Sequence, residues 1–312
     1  MKKGLLLLAM VVLGLVRSHA QQDAQYSQYM FNMLAVNPAY AGSRDVLSIT
    51  GLYRNQWVGL EGAPVTQTLT ADMPVRKEKI GLGLSLFNDR VGVITSRGIT
   101  GTYAYRIRFD RKGTLSFGIQ GGVVYFNSEL RSVRTNPTGV SDPAFADDFV
   151  RYAPVVGTGV YYSTDRFYIG LSLPNLIKYT LNDPRVISTA TPSERAMKYR
   201  HLFFMTGYVF NLSPSVVWKP SLLTKFVTGA PVQFDINTNF WFYDRFGVGA
   251  SYRTGAAVLG MAEFQVTPQF RIGYAFDYGT NALQRYNAGT HEIMLRYEFG
   301  FDKAKVLSPR YF

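Results

Sequence analysis

The sequence predicts an all-β protein: a transmembrane antiparallel β-barrel of about fourteen strands, preceded by a short plug-like segment. Three observations predict it. Apolar and polar side chains alternate with a period of two over stretches of about ten residues or more. The connections between those stretches sort by length, with short turns alternating with longer loops. The chain also opens on an export signal and has no other apolar run long enough for a spanning helix.

The hairpin Gly98–Phe126 sets the pattern. Its first arm carries Ile99, Tyr103, Tyr105, Ile107 and Phe109 on one parity, and Thr100, Thr102, Ala104, Arg106 and Arg108 on the other. A polar turn, Asp110-Arg111-Lys112-Gly113, leads into a second arm. There Leu115, Phe117, Ile119, Val123 and Tyr125 alternate with Ser116, Gly118, Gln120 and Gly122. Alternate side chains lie on opposite faces of a strand. A guanidinium on the lipid face at mid-membrane would cost roughly 2–4 kcal/mol, so Arg106 and Arg108 are expected in the lumen or near the rim. A hairpin of a soluble sandwich has the same period, and the remainder of the chain decides between the two.

The remaining strands follow in order: Val46–Arg54, Val65–Met73, Ile80–Phe87, then the hairpin, Val155–Ser163, Phe167–Leu173, Tyr199–Phe210, Pro214–Phe226, Val232–Phe242, Phe246–Arg253, Ala257–Val266, Phe270–Tyr278 and His291–Phe301. The turns after the even-numbered strands are short. The connections Asn88–Arg97, Asn127–Ala153, Pro174–Lys198 and Gly279–Thr290 are longer and polar. Outer-membrane barrels have short periplasmic turns, longer extracellular loops and an even strand number, whereas a sandwich has no reason to sort its loops by parity. Closure also removes the exposed sheet edges.

Lys2 and Lys3, the apolar run Leu5–Val16 and the small-x-small site Ser18-His19-Ala20 form a secretory signal peptide over 1–20, with maturation expected at Gln21. Residues 21–44 place Tyr26, Tyr29, Met30, Met33 and Leu34 at helical spacing, which predicts a short amphipathic turn or helix ending near Asn37-Pro38. Its apolar face needs burial in a barrel mouth or lumen, as a plug or as a partner contact. The barrel is expected over 45–301 and a tail over 302–312.

Composition narrows the chemistry. Aromatic residues make up 15% of the chain, with 21 Tyr, 22 Phe and 3 Trp, as expected of girdles at both membrane interfaces. With no cysteine there is no disulfide, thiolate metal site, Cys nucleophile or lipid-carrying N-terminal Cys. The formal charge of +12 falls to about +9 when Lys2, Lys3 and Arg17 leave with the signal. Those basic residues are spread thinly and suit rim and lumen positions against lipid head groups and lipopolysaccharide, not a nucleic-acid surface. No complete dinucleotide or Walker A loop is present, and the Gly pairs Gly81/Gly83 and Gly247/Gly249 lie within strand patterns, where glycine relieves crowding in a curved sheet. His201 and His291 belong to no metal-spaced cluster. A barrel-enzyme reading would use His291, Glu292 and Asp89 at the outer rim, but nothing in their spacing demands proximity. Asp142, Asp147 and Asp148 offer oxygen ligands without the spacing of a calcium loop. No cofactor, metal or catalytic residue is expected.

Several segments resemble the PorP/SprF family of outer-membrane proteins of the type IX secretion system. Gln25–Ser43 (QYSQYMFNMLAVNPAYAGS) carries the strongest likeness, and Tyr53–Gly59 with Glu61–Pro64 the second. Tyr103–Ile107, Gly159–Tyr162, Gly170–Pro174, Gly273–Tyr278, His291–Ile293 and Pro309–Phe312 resemble later blocks in the same order. The family often has a proline near Met33, where this chain has Asn32-Met33-Leu34. The resemblance implies a non-enzymatic, integral outer-membrane barrel that supports export or surface attachment of proteins with a C-terminal secretion domain. The partners it implies are periplasmic ring components or a peptidoglycan-linked adaptor, and secreted cargo or an adhesin. The first two blocks supply the candidate partner-binding residues Tyr26, Gln28, Tyr29, Asn37, Pro38, Tyr40, Trp57 and Gly59. A channel for small or hydrophobic solutes is the alternative for the same barrel.

Overall fold

Strands form wherever the period of two persists, and they join into one large antiparallel sheet; a separate two-stranded ribbon pairs Tyr179–Thr180 with Met197–Lys198. The computed structural model describes residues 25–76, 78–109, 113–133, 147–177, 179–180, 197–198 and 200–300. The expected signal peptide, the expected tail and Asp142 lie outside the described residues.

The strands are β1 (Leu47–Asn55), β2 (Val65–Val75), β3 (Ile80–Val91), β4 (Ile94–Phe109), β5 (Gly113–Ser128), β6 (Phe149–Ser163), β7 (Phe167–Leu173), β8 (His201–Tyr208, resumed at Phe210–Ser213), β9 (Val216–Val227), β10 (Gln233–Phe242), β11 (Phe246–Arg253), β12 (Ala257–Gln265), β13 (Phe270–Gly279) and β14 (Thr290–Phe299). The sheet closes where β1 pairs β14, from Leu47↔Phe299 to Asn55↔His291. The result is a single fourteen-strand barrel, not a two-layer sandwich. β8 is broken at Val209, which falls opposite Lys219 and next to Pro220, whose missing N–H removes a bond from the ladder. Its register survives the break, with Gly207 opposite Ser221 and Phe210 opposite Trp218.

Burial follows parity in the sense a membrane requires. On β4, Ala104 and Arg106 are 0% and 2% exposed, while Tyr105 and Ile107 between and beside them are 49% and 37% exposed. The polar or small parity faces the lumen and the large apolar parity faces out, as Ile119, Ile236 and Leu295 also do. In water each such side chain would forfeit roughly 1.5–3 kcal/mol of burial, but lipid satisfies them. At the short-turn end, Phe167, Tyr208, Phe210, Trp218 and Phe240 form one stretch of aromatic girdle, with successive ring separations of 6.5, 4.5, 4.9 and 6.3 Å. No described helix is long and apolar enough to cross a membrane.

Three expectations are corrected. The long connection expected over Asn88–Arg97 is strand: β3 runs to Val91 and β4 starts at Ile94, leaving residues 92–93 as the turn. Its polar residues misled because strand ends beyond the hydrocarbon core no longer need an apolar outer face, so alternation fades while pairing continues from Asn88↔Arg97 to Val91↔Ile94. The loop expected over Asn127–Ala153 likewise yields residues to β5, which ends at Ser128, and to β6, which begins at Phe149. The segment before β1, expected as a short amphipathic turn or helix stopping near Asn37-Pro38, is three 3-10 turns that continue past that point, Tyr29–Phe31, Met33–Ala35 and Pro38–Tyr40. Asn37-Pro38 starts the third turn instead of ending a helix. The Asn37 side chain accepts from the Ala39 N–H, and Pro38 occupies the first helical position.

Candidate functional site

The lumen holds the chain's own residues 25–44, which contact the wall on all sides. At the loop end, Gln25 Nε2 donates to Gln233 Oε1 at 2.7 Å, and the Tyr26 hydroxyl meets Thr68 Oγ1 at 2.9 Å. Midway, Asn237 Nδ2 donates to the Tyr29 hydroxyl at 2.9 Å. Farther along, Ser172 Oγ donates to Val36 O at 2.8 Å, and Asn37 Nδ2 to Val160 O at 3.1 Å. At the short-turn end, the Gly42 N–H donates to Asp72 Oδ2 at 2.8 Å and Arg44 pairs with Glu298. The segment therefore runs the length of the barrel, from the loop end to the short-turn end, before turning back into β1.

Between these ends the packing is apolar. Tyr29, Met30, Met33, Leu34 and Tyr40 join Tyr161, Tyr168, Met205, Trp241 and Met294 in one buried cluster. Nearly all of the segment is covered, so it needs no solvent-facing side, unlike the amphipathic element expected from the sequence. Two lumen-facing glycines admit the backbone: a Cβ on Gly81 would lie 1.9 Å from Ala41 O, and one on Gly118 would lie 2.2 Å from Ala39 N. At Gly81 the demand is this close approach, not the sheet curvature expected from the sequence.

Two sets of buried charges hold the ends. Near the loop end, the Glu292 carboxylate accepts the Ser27 and Gln28 N–H groups, each at 2.8 Å. Ser27 Oγ donates to Asp277 at 2.7 Å. Arg54 bridges Glu292 at 3.0 Å and Asp277 at 2.8 Å, while Arg253 pairs with Asp235 at 2.8 Å and donates to Tyr26 O at 3.2 Å. At the other end, Arg296 Nε donates to Thr50 Oγ1 at 3.2 Å near the Arg44–Glu298 pair. Arg106 and Arg108 meet Asp45 at 2.8 and 3.1 Å, so Arg106 lies in the lumen and Arg108 at the rim, as the sequence required. Arg44 is buried, and the Glu298 carboxylate and the Tyr40 hydroxyl beside it compensate its charge.

Of the candidate contact residues, Gln28, Tyr29, Asn37, Pro38 and Tyr40 are buried against the wall, and Tyr26 is half-buried at the loop end. Trp57 and Gly59 lie apart, in the loop between β1 and β2. Trp57 is half-buried with φ +47° and its N–H donates to Thr290 Oγ1 at 3.1 Å; Gly59 is exposed. The residues that sequence reasoning missed are the lumen charges Arg44, Arg54, Asp72, Asp235, Arg253 and Asp277. For all but Arg44, which precedes β1, their signal was a charge on the polar parity of a spanning strand.

The barrel-enzyme set does not assemble. His291 faces outward with Nδ1 2.6 Å from the Tyr274 hydroxyl, Glu292 faces inward, and Asp89 accepts from Thr66 at 2.6 Å. Asp147 pairs with Arg131 at 2.9 Å and Asp148 accepts the Arg131 N–H at 3.0 Å. Among the described residues no group of metal-type ligands converges.

Strand parity, lipid-facing apolar residues, closure and an occupied lumen define an integral outer-membrane β-barrel. The likeness to solved structures agrees: a CymD monoaromatic hydrocarbon channel has a TM-score of 0.51 at 11% identity, over 89% of this chain and 94% of that one. The Acinetobacter baumannii outer-membrane protein Omp33 gives 0.45 at 9% identity, over 81% and 98%. A Pseudomonas aeruginosa FadL homologue gives 0.44 at 13%, over 87% and 94%. No curated protein is significantly similar to the chain. The family model "Type IX secretion system membrane protein PorP/SprF" matches residues 18–297, and the chain belongs to that family.

Proposed function

We propose that this protein is a non-enzymatic component of the type IX secretion machinery that supports export or surface attachment of proteins carrying a C-terminal secretion domain. It works by contact, with periplasmic ring components or a peptidoglycan-linked adaptor at the short-turn end and with cargo or an adhesin at the loop end. The occupied lumen carries this reading. Thr50, Thr68, Thr102, Ser221, Asn237, Asn239 and Ser251 face the lumen, yet none is more than 6% exposed. A diffusion channel needs such residues wet. Residues 21–44 act as a plug that stiffens the barrel. Tyr26, Trp57 and Gly59 are the residues of the candidate set reachable at the loop end, and Gln28, Tyr29, Asn37, Pro38 and Tyr40 act through the plug they build.

Deletion of the protein tests this. The expected result is cargo stranded in the periplasm with small-solute uptake unchanged. Normal export, together with ion conductance of the purified barrel in planar bilayers, overturns it in favour of a channel.

A further inference from the structure

The apolar outer face of β2, β3 and β4 ends on one row. Leu69, Leu86 and Ile99 are 46%, 36% and 47% exposed, and the next outward residues toward the loop end are Gln67, Asn88 and Arg97. These three are direct register partners across the strands. Asn88 Nδ2 donates to Gln67 Oε1 at 3.3 Å, and Arg97 Nε donates to Asn88 Oδ1 at 3.1 Å. The chain of two bonds fixes the Arg97 guanidinium by its Nε edge and leaves both terminal amino groups uncommitted among the described residues.

Arg90 lies two residues beyond Asn88 on the same outward face. Asn88 is opposite Arg97, so Arg90 and Arg97 are diagonal neighbours, a separation of roughly 7–8 Å that long side chains bridge. Both arginines are exposed, and no carboxylate pairs with either among the described residues. Asp89, between Asn88 and Arg90, faces the lumen and accepts from Thr66 at 2.6 Å. Two like charges therefore sit side by side at the upper edge of a lipid-facing apolar strip, one of them held in place by a hydrogen-bonded support. Such an arrangement suits an anion.

We propose that Arg90 and Arg97 clamp the phosphate of an outer-leaflet glycolipid. Its acyl chains lie along Leu69, Leu84, Leu86 and Ile99, and its phosphate bridges the two guanidinium groups. The outer leaflet is the source of the ligand because the apolar strip directly below the clamp faces lipid and offers acyl chains a surface that a free anion would not use. The site depends on the barrel's placement in the membrane and not on the secretion reading.

The test uses the purified full-length barrel in detergent, with bis-phosphorylated lipid A and its dephosphorylated form as probes, read by native mass spectrometry. The wild type is expected to retain the phosphorylated lipid about tenfold more than the dephosphorylated one, the equivalent of one good charge-assisted contact. The double variants R90A/R97A and R90Q/R97Q should lose that preference while keeping the heat-modifiable migration of a closed barrel, and R285A, an exposed arginine elsewhere at the loop end, should not. Arg97→Lys should lose part of it, because an ammonium cannot bind bidentately. Equal retention of both lipids by the wild type, an unchanged preference in the double variants, or full displacement by inorganic phosphate at equal concentration would each overturn the proposal.

Discussion

Arg54 and Glu292 are direct partners across the β1–β14 seam and are ion-paired at 3.0 Å inside the lumen. The same carboxylate holds the Ser27 and Gln28 N–H groups. One contact thus ties together barrel closure and the seating of the N-terminal segment, which links a register to a filled lumen.

Breaking that pair on one side should be costly. Glu292→Ala leaves a buried guanidinium with less compensation and two backbone donors without an acceptor. The expected loss is about 3–5 kcal/mol, read as a lowered unfolding temperature in detergent. Replacing both partners, Arg54→Met with Glu292→Met, should recover only part of it: the stranded guanidinium is gone, but Asp277 keeps only Arg253, at 3.7 Å, as a cationic partner among the described residues, and the Ser27 and Gln28 N–H groups still lack an acceptor. A Glu292→Ala barrel as stable as the wild type would mean that the pair holds nothing.

The wall glycines predict a separate failure. Gly118→Val puts side-chain atoms where the Ala39 backbone runs, and overpacking of this kind costs about 1–3 kcal/mol. The barrel should still close, but the N-terminal segment should become sensitive to protease and the protein should conduct ions in planar bilayers. Gly121→Ala is the control, since a Cβ there meets nothing within 4 Å. If Gly118→Val stays protease-resistant and silent, the segment is not held by close approach at this wall.

How much of this was legible in the sequence depends on range. Strand parity is a local property, so the fourteen strands, the inward Arg106 and the outward aromatics could be read from neighbours in the chain. The apolar segment before β1 was visible as something needing burial, but its three 3-10 turns were not, because Asn37-Pro38 reads as a stop and instead starts a turn. The lumen charges were hidden for another reason. Arg54 and Glu292 lie 238 residues apart, and only closure of the last strand onto the first makes them partners. Asn88–Arg97 failed in the opposite direction: beyond the hydrocarbon core polar residues no longer mark a loop, because the outer face of a strand need not be apolar there.

The direction of the N-terminal segment predicts an accessibility pattern. The chain has no cysteine, so single-cysteine variants report cleanly. A cysteine at Gln25 or at Tyr286, which is 71% exposed near the loop end, should react with a membrane-impermeant maleimide on intact cells. One at Tyr243, 77% exposed in a short turn, should react only after the outer membrane is permeabilised. Labelling of Tyr243→Cys on intact cells would reverse the barrel's orientation, and with it the assignment of periplasmic partners to the short-turn end.

The outward parity itself can be tested by charge. Ile119 is 61% exposed and lies in the middle of β5, level with Tyr103 on one side and Thr158 on the other. In lipid, Ile119→Arg should cost roughly 2–4 kcal/mol, measured as a shift in the folding equilibrium into vesicles. Tyr286→Arg, in the loop before β14, should cost close to nothing. A soluble protein would give the opposite ranking at position 119, where an exposed isoleucine replaced by arginine is neutral or favourable in water. The sign of that one substitution therefore discriminates a lipid-facing wall from a water-facing one, independently of any partner.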